Sequence, residues 1–271
     1  MHKVVTKRDV AAVGEEAAVA EQLVLLKAAG RWPDDLSIWR LDMPLPRQHS
    51  HRVAACYACL DSAERGRADR YRVVDEQTRF IITRATLRHL LGAEVGRPAD
   101  DLRFGAVANG RPVLTDFPTL SFNVSHTRDR ALIAMSRCRA VGVDIEYVDP
   151  TIDWQSLVDM VCSGRQRSYL LGASETSGDA YSEIQRTGFF RCWTVKEALL
   201  KAVGVGLIDQ LSGIDFSLEA RGIQRPRVEG FVARADPRLH GLRRLSFHCL
   251  TDVDGYAGCI AYSDARPHLA S

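Results

Sequence analysis

The sequence predicts an α+β fold, and three observations carry that expectation. The order helix-then-strands occurs twice, over residues 76–146 and again over 189–262. The strand-like segments are short and separated by turn residues. The long strand–helix alternation that a doubly wound parallel sheet requires is missing. No residue-by-residue repeat links the two stretches, but the doubling hints at two similar halves, and 271 residues leave room for them.

In chain order, residues 15–29 carry strong helix formers and Gly30 stops them. Residues 37–42 alternate like a strand that Pro44 and Pro46 end. Residues 53–60 are apolar; read as a strand, they would turn Cys56 and Cys59 to opposite faces. Asp61 precedes Glu64 by three positions, the mark of a helix start. A second helical run covers residues 76–91, with Phe80, Arg84, Leu87 and Leu91 on one row and Gly92 closing it. Strands are predicted at 102–107, 120–124, 131–136 and 141–146. Residues 163–188 are polar and Ser/Gly-rich, which reads as a loop or a mobile helix pair. A strong helix over 189–203 ends at Gly204, and strands follow at 213–218, 243–250 and 256–262.

Composition narrows the function classes. With 46% hydrophobic and 26% charged residues, disorder and collagen-like repeats are excluded. Lys plus Arg number 36 against 34 acids, so any anion site must be a local cluster, and nucleic-acid binding has neither the charge nor an aromatic platform. Seven scattered cysteines read as reduced, and no second pair completes a zinc site around Cys56-x-x-Cys59. The charged N-terminus is unlike a signal peptide and no run approaches a membrane span. The expectation is a soluble, cytoplasmic protein.

Four segments carry candidate chemistry. In Val141-Gly-Val-Asp-Ile-Glu146, strand alternation puts Asp144 and Glu146 on one face, about 6.5–7 Å apart. That face is either solvated or a seat for a divalent cation with oxygen ligands. In the helix at 189–203, Trp193, Glu197 and Lys201 form one row with Lys196 on the next. Glu197 and Lys201 are then an ordinary i, i+4 pair, or an acid ligand or base beside a phosphate-neutralising lysine. Ser125 and His126 follow a strand and either shape a turn or donate to a phosphate. No Gly-x-Ser-x-Gly elbow exists, which excludes a serine hydrolase of that kind. Residues 62–89 hold seven arginines against four acids, either a salt-laced helix surface or a phosphate-binding wall.

Taken together these segments resemble the 4′-phosphopantetheinyl transferase superfamily, and within it the long, monomeric, surfactin-type group. The resemblance rests on Gly110-Arg111-Pro112, Phe122-Asn-Val-Ser-His126, Gly142-Val-Asp-Ile-Glu146 and Trp193-Thr-Val-Lys-Glu-Ala-Leu-Leu-Lys201, in that order, and extends over roughly residues 55–262. It implies coenzyme A as donor and a serine of an apo acyl or peptidyl carrier protein as acceptor, with fatty-acid, polyketide and peptide synthase carriers all open. It implies Mg²⁺, or Mn²⁺, held by Asp144, Glu146 and Glu197. Lys201 would contact the phosphates, and Ser125, His126, Arg111, Arg79 and Lys196 would bind the nucleotide. The family fold implied is two similar halves about a pseudo-two-fold axis, each a long helix on a small, mainly antiparallel sheet. Residues 1–50 would be an N-terminal extension and first strand, 51–146 the first half and 147–271 the second. Two departures stand out. Arg111 replaces the usual Lys of the turn, and Gln166 stands where many relatives carry an acid, which leaves Glu197 as the candidate base, acting directly or through a water. The same glutamine keeps open a non-catalytic relative that binds coenzyme A or a carrier protein.

Overall fold

The computed structural model describes residues 23–26, 29–43, 50–106, 111–172, 179–206, 208–209, 211–230, 237–251 and 253–265. The described chain opens with β1 (Leu23–Leu26) and β2 (Ser37–Asp42), followed by α1 (Ser50–Ala58), α2 (Ser62–Ala68) and α3 (Val74–Val95). Next come β3 (Phe104–Ala106), β4 (Pro112–Leu114), β5 (Ser121–Thr127), β6 (Arg130–Ser136) and β7 (Val141–Tyr147). After β7 the chain adds α4 (Val158–Val161), α5 (Gly164–Leu171), α6 (Asp179–Val203), β8 (Ile214–Asp215), β9 (Arg227–Val228), β10 (Leu245–Leu250) and β11 (Tyr256–Ser263).

Two antiparallel sheets carry the fold, one ordered β1-β2-β6-β5 and the other β10-β11-β7. Alternation along their strands builds four layers. Trp39, Leu41, Phe122, Ala131 and Ile133 face Leu87, Leu90 and Leu91 of α3. Ile38, Leu132 and Ala134 point the other way, against Val143, Ile145 and Ile260 of the second sheet. The far face of that sheet, including Ala257, Cys259 and Ala261, packs on Val195, Ala198 and Leu199 of α6. The inner face of β5 is polar where it meets β7. Ser121 Oγ accepts from Val141 N at 3.1 Å and Asn123 Oδ1 from Val143 N at 2.9 Å, so side chains stitch the two sheets together.

Several expectations are corrected. Leu23–Leu26 is a strand, not the end of a helix over 15–29, and residues 15–22 lie outside the described residues. Pairing of all four residues with β2, with Leu23 and Leu26 buried in different layers, outweighs local helix propensity. The apolar stretch at 53–60 falls largely in helix α1, where Cys59 donates to the Cys56 carbonyl. The second helix runs past Gly92 to Val95 and ends at Gly96, whose φ of 70° is the left-handed closure. Gly92 is instead a contact point, since a Cβ there would lie 2.6 Å from Arg97 O. The Asp61–Glu64 capping box forms as its spacing predicts. Within 163–188, α5 and the first turns of α6 are helical, with 173–178 outside the described residues. The strand predicted at 213–218 shortens to Ile214–Asp215, and a 3₁₀ segment at Pro237–Arg244 delays β10 to Leu245. All seven cysteines are free, and no helix among the described residues is long and apolar enough to cross a membrane.

Candidate active site

The candidate site lies where β5, β7 and α6 meet. Gly142 lets α6 lie directly on β7: a Cβ on it would fall 2.1 Å from Ala198 O and 2.4 Å from Ala202 N. The face holding Asp144 is therefore covered by the helix rather than solvated, and Asp144 is 1% exposed. One turn apart on α6, Glu197 and Lys201 reach this face from above. Lys201 Nζ donates to Asp144 Oδ1 at 2.6 Å and to Ser125 Oγ at 3.2 Å, and Ser125 Oγ donates to Asp144 Oδ1 at 2.7 Å.

The acids feel one another. Burial, then the charge of Asp144, pushes the Glu146 carboxyl up to about 7, against a hydrogen bond from Thr127 and the Lys201 charge. Burial and Asp144 likewise raise Glu197, with Lys201 opposing. Asp144 Oδ2 and Glu197 Oε1 are buried without a hydrogen-bond partner. Among the described residues, no three His, Cys, Asp or Glu side chains are already gathered at ligand distance around one point. Two orphaned carboxylate oxygens beside a third coupled acid nevertheless fit a hard divalent cation, which would satisfy acceptors that no protein donor reaches.

Ser125 and His126 part company because strand alternation sends them to opposite faces of β5. His126 turns toward α3 and lines a cavity of about 210 Å³ with Arg67, Phe80, Thr83, Arg84 and Phe122. The residue is exposed to solvent, yet partial desolvation holds its pKa below 6.5, with Glu76 opposing and Arg79 reinforcing the shift. Arg79 pairs with Glu76 at 2.5 Å next to this histidine. Arg67 stacks over Phe80 at 5.0 Å and Arg84 over Phe104 at 3.9 Å. Phe80, Thr83, Arg84 and Leu87 line the cavity at helical i, i+3, i+4 and i+7 spacing, a stripe the sequence shows but whose facing strand it does not.

Three candidates stand apart from the acids. Arg111 donates to Lys201 O and Ala202 O at 3.2 Å, to Val141 O at 2.9 Å and to Ser121 Oγ at 2.9 Å, clamping the end of α6 to β5 and β7. Gly110 lies outside the described residues. Lys196 is fully buried, donating to Val161 O and to Gln166 Oε1. Gln166 closes a capping box with Ser163 and donates to Phe216 O at 3.3 Å. Gln166 thus serves a helix start under Lys196, and its hydrogen bonds bypass the acid cluster. Of the arginine series, Arg88 is wholly internal, bound to Glu64, Asp61 and the Ala99 and Leu102 carbonyls.

A lysine and three coupled carboxylates under one helix, beside an arginine- and aromatic-lined cavity, define an enzyme suited to phosphate esters. Comparison with known proteins makes this specific. The sequence profile of the 4′-phosphopantetheinyl transferase superfamily matches residues 140–260, and that of the 4′-phosphopantetheinyl transferase N-terminal region matches 46–138. The chain is 34% identical over 188 residues to the 4′-phosphopantetheinyl transferase HetI of Nostoc sp., covering 68% of this chain and 75% of that protein. It is 28% identical over 250 residues to a phosphopantetheinyl transferase of Thraustochytrium sp., covering 88% and 84%. It is also 29% identical over 159 residues to the 4′-phosphopantetheinyl transferase psf-1 of Bacillus pumilus, covering 59% and 64%. The chain belongs to the 4′-phosphopantetheinyl transferase superfamily and is an enzyme of that activity.

Proposed function

We propose that this enzyme, a monomer of the surfactin-type group acting in the cytoplasm, moves the 4′-phosphopantetheine group of coenzyme A to a serine of an apo acyl or peptidyl carrier protein. The observation that carries the site assignment is the pair of orphaned buried oxygens, Asp144 Oδ2 and Glu197 Oε1, beside Lys201. Asp144, Glu146 and Glu197 would hold Mg²⁺, or Mn²⁺ with the same oxygen preference, and the bound ion would supply Lewis acidity and charge neutralisation to the diphosphate. Lys201 orients Asp144 and offers its ammonium to the charge that builds on the leaving phosphate. His126 and Arg67 hold the nucleotide end in the cavity against α3, with Arg79 close by. The carrier serine oxygen attacks the β-phosphorus, the bond to the departing phosphate breaks, and adenosine 3′,5′-bisphosphate leaves. Glu197 takes the serine proton, directly or through a water, since its Oε1 is buried beside Lys201 with no hydrogen-bond partner among the described residues.

The layer order α3, first sheet, second sheet, α6 supports two halves about a pseudo-two-fold axis, although the acidic strand β7 pairs with β11 and so joins the sheet under the Glu197 helix, across a chain division at 146/147. The test is to mix the protein with coenzyme A, MgCl₂ and a panel of apo carriers and weigh each carrier. A gain of one phosphopantetheine group is expected. Unchanged mass across the panel, with coenzyme A bound, would overturn the transfer.

A further inference from the structure

Cys249 and Cys259 are direct register partners on the antiparallel pair β10–β11, and on its other side Cys259 stands opposite Asp144 of β7. Opposed residues in such a pair have Cα atoms about 4.5–5.5 Å apart, within the window a disulfide requires. Cys259 is wholly buried on the central strand of its sheet, while Cys249 lies on the edge strand β10 and is partly exposed. Cys249 also lines a cavity of about 300 Å³ together with Arg31, Arg191 and Arg221, and no carboxylate is among the lining residues described.

The cavity treats the two thiols differently. Arg191 Nε donates to Cys249 Sγ at 3.1 Å, and its remaining nitrogens are fixed on Leu218 O and Ala220 O. A hydrogen bond from the Cys259 thiol, then the Arg191 charge and its hydrogen bond, bring Cys249 down to about 7 against the opposing effect of burial. Cys259, wholly buried, is not among the cavity's lining residues. The transfer reaction proposed above uses neither sulfur.

We propose that Cys249 is a thiol–disulfide exchange site for small disulfides of anionic thiols, with Cys259 as the resolving thiol. The Cys249 thiolate attacks one sulfur of the small disulfide, forming a mixed disulfide and expelling one anionic thiolate. Cys259 then attacks Cys249 Sγ, giving the Cys249–Cys259 disulfide and releasing the second small thiol, which carries away the Cys259 proton. Two protein thiols are oxidised and one small disulfide is reduced to two thiols. The three arginines raise the local concentration of the anionic reagent.

The test treats the reduced full chain with glutathione disulfide and follows whole-chain mass and peptide maps over time. A single glutathionyl group is expected first on Cys249, followed by its departure as glutathione, which leaves a Cys249–Cys259 cross-link and a chain two hydrogens lighter than its reduced form. Cys259→Ser is expected to stop at the mixed disulfide. Relative to the urea-unfolded chain, the folded chain is expected to favour glutathione disulfide over cationic cystamine by about tenfold. First modification at another cysteine, or a Cys249→Ser chain that reacts at the wild-type rate, would overturn the site. A mixed disulfide in the wild type that never converts would overturn the role of Cys259. Should Cys249→Ser fail to fold, the early-time peptide map of the wild type decides alone.

Discussion

Lys201 Nζ stands 2.6 Å from Asp144 Oδ1, in an ion pair whose carboxylate side chain is 2% exposed and whose other oxygen meets no donor among the described residues. The lysine therefore satisfies half of the carboxylate and leaves half for a cation. Asp144→Asn keeps the shape and a hydrogen-bond acceptor for Lys201 but removes the charge. The variant is expected to fold, with carrier modification reduced on the order of 10²–10³-fold. Added MgCl₂ is expected to raise the wild-type Tm and leave that of the variant unmoved, since only a ligand that binds the native state stabilises it. An equal Mg²⁺ shift in both proteins would remove Asp144 from the metal site.

His126 faces the cavity under α3 and not the acids, so its loss should weaken nucleotide binding more than chemistry. His126→Ala is expected to raise the KM for coenzyme A by about 3–10-fold with kcat nearly unchanged. Its depressed pKa also sets a pH dependence. Above 6.5 the ring is neutral in both folded and unfolded chains and contributes nothing. As pH falls below 6.5, the unfolded chain binds the proton first, so stability is lost until the folded-state value is passed. Urea denaturation of wild type and His126→Ala between pH 7.5 and 5 checks this (buffers chosen with about 0.1 M salt): the wild type should lose more. Parallel curves would assign the depression no weight.

Gly142 allows β7 and α6 to touch backbone to backbone, and Gly142→Ala places a methyl within 2.4 Å of two helix backbone atoms that cannot swing aside. The expected cost is about 3 kcal/mol or more, read from chemical denaturation. Because α6 carries Glu197 and Lys201, residual folded protein should also lose transfer activity. Wild-type stability in this variant would mean the helix does not pack on the strand as closely as its contacts require.

Much of this site could be read from spacing alone. Alternation along β7 and the four-residue step on α6 bring Asp144, Glu197 and Lys201 together once the helix lies on the strand. Alternation along β5 also separates Ser125 from His126, an inference open to the sequence that the motif obscured. Lys196 and Arg111 were not legible, because their acceptors come from distant parts of the chain: Val161 and Gln166 for the first, the end of α6 and Val141 for the second. A cation in a motif says nothing about which carbonyls will meet it. The strand at Leu23–Leu26 was hidden for a related reason, since its partner β2 and its two buried faces are supplied by tertiary packing.

Gln166 and Lys196 give the last prediction. Lys196 Nζ is fully buried against two neutral acceptors, Val161 O and Gln166 Oε1, and desolvation holds its ammonium below the ordinary lysine range. At pH values below 10.5 the unfolded chain therefore holds the lysine proton more tightly, and wild-type stability should rise with pH as this difference fades. In Gln166→Glu, a carboxylate oxygen would take over the bonds from Ser163 N and Lys196 Nζ and supply a counter-charge in direct contact. The variant loses the donation to Phe216 O, a long bond at 3.3 Å. Giving a buried ammonium a directly hydrogen-bonded anion, where Asp215 now acts on it only through space, outweighs one weak neutral bond, so the variant should gain about 1 kcal/mol at pH 7. Its advantage should shrink toward pH 10, where the wild-type penalty fades. Urea denaturation of both proteins at pH 7, 8.5 and 10 measures the difference, with other titrating groups cancelling between them. A variant less stable at pH 7 would mean that Lys196 is already neutral in the native protein, or that carboxylate–carbonyl repulsion at Phe216 dominates the site.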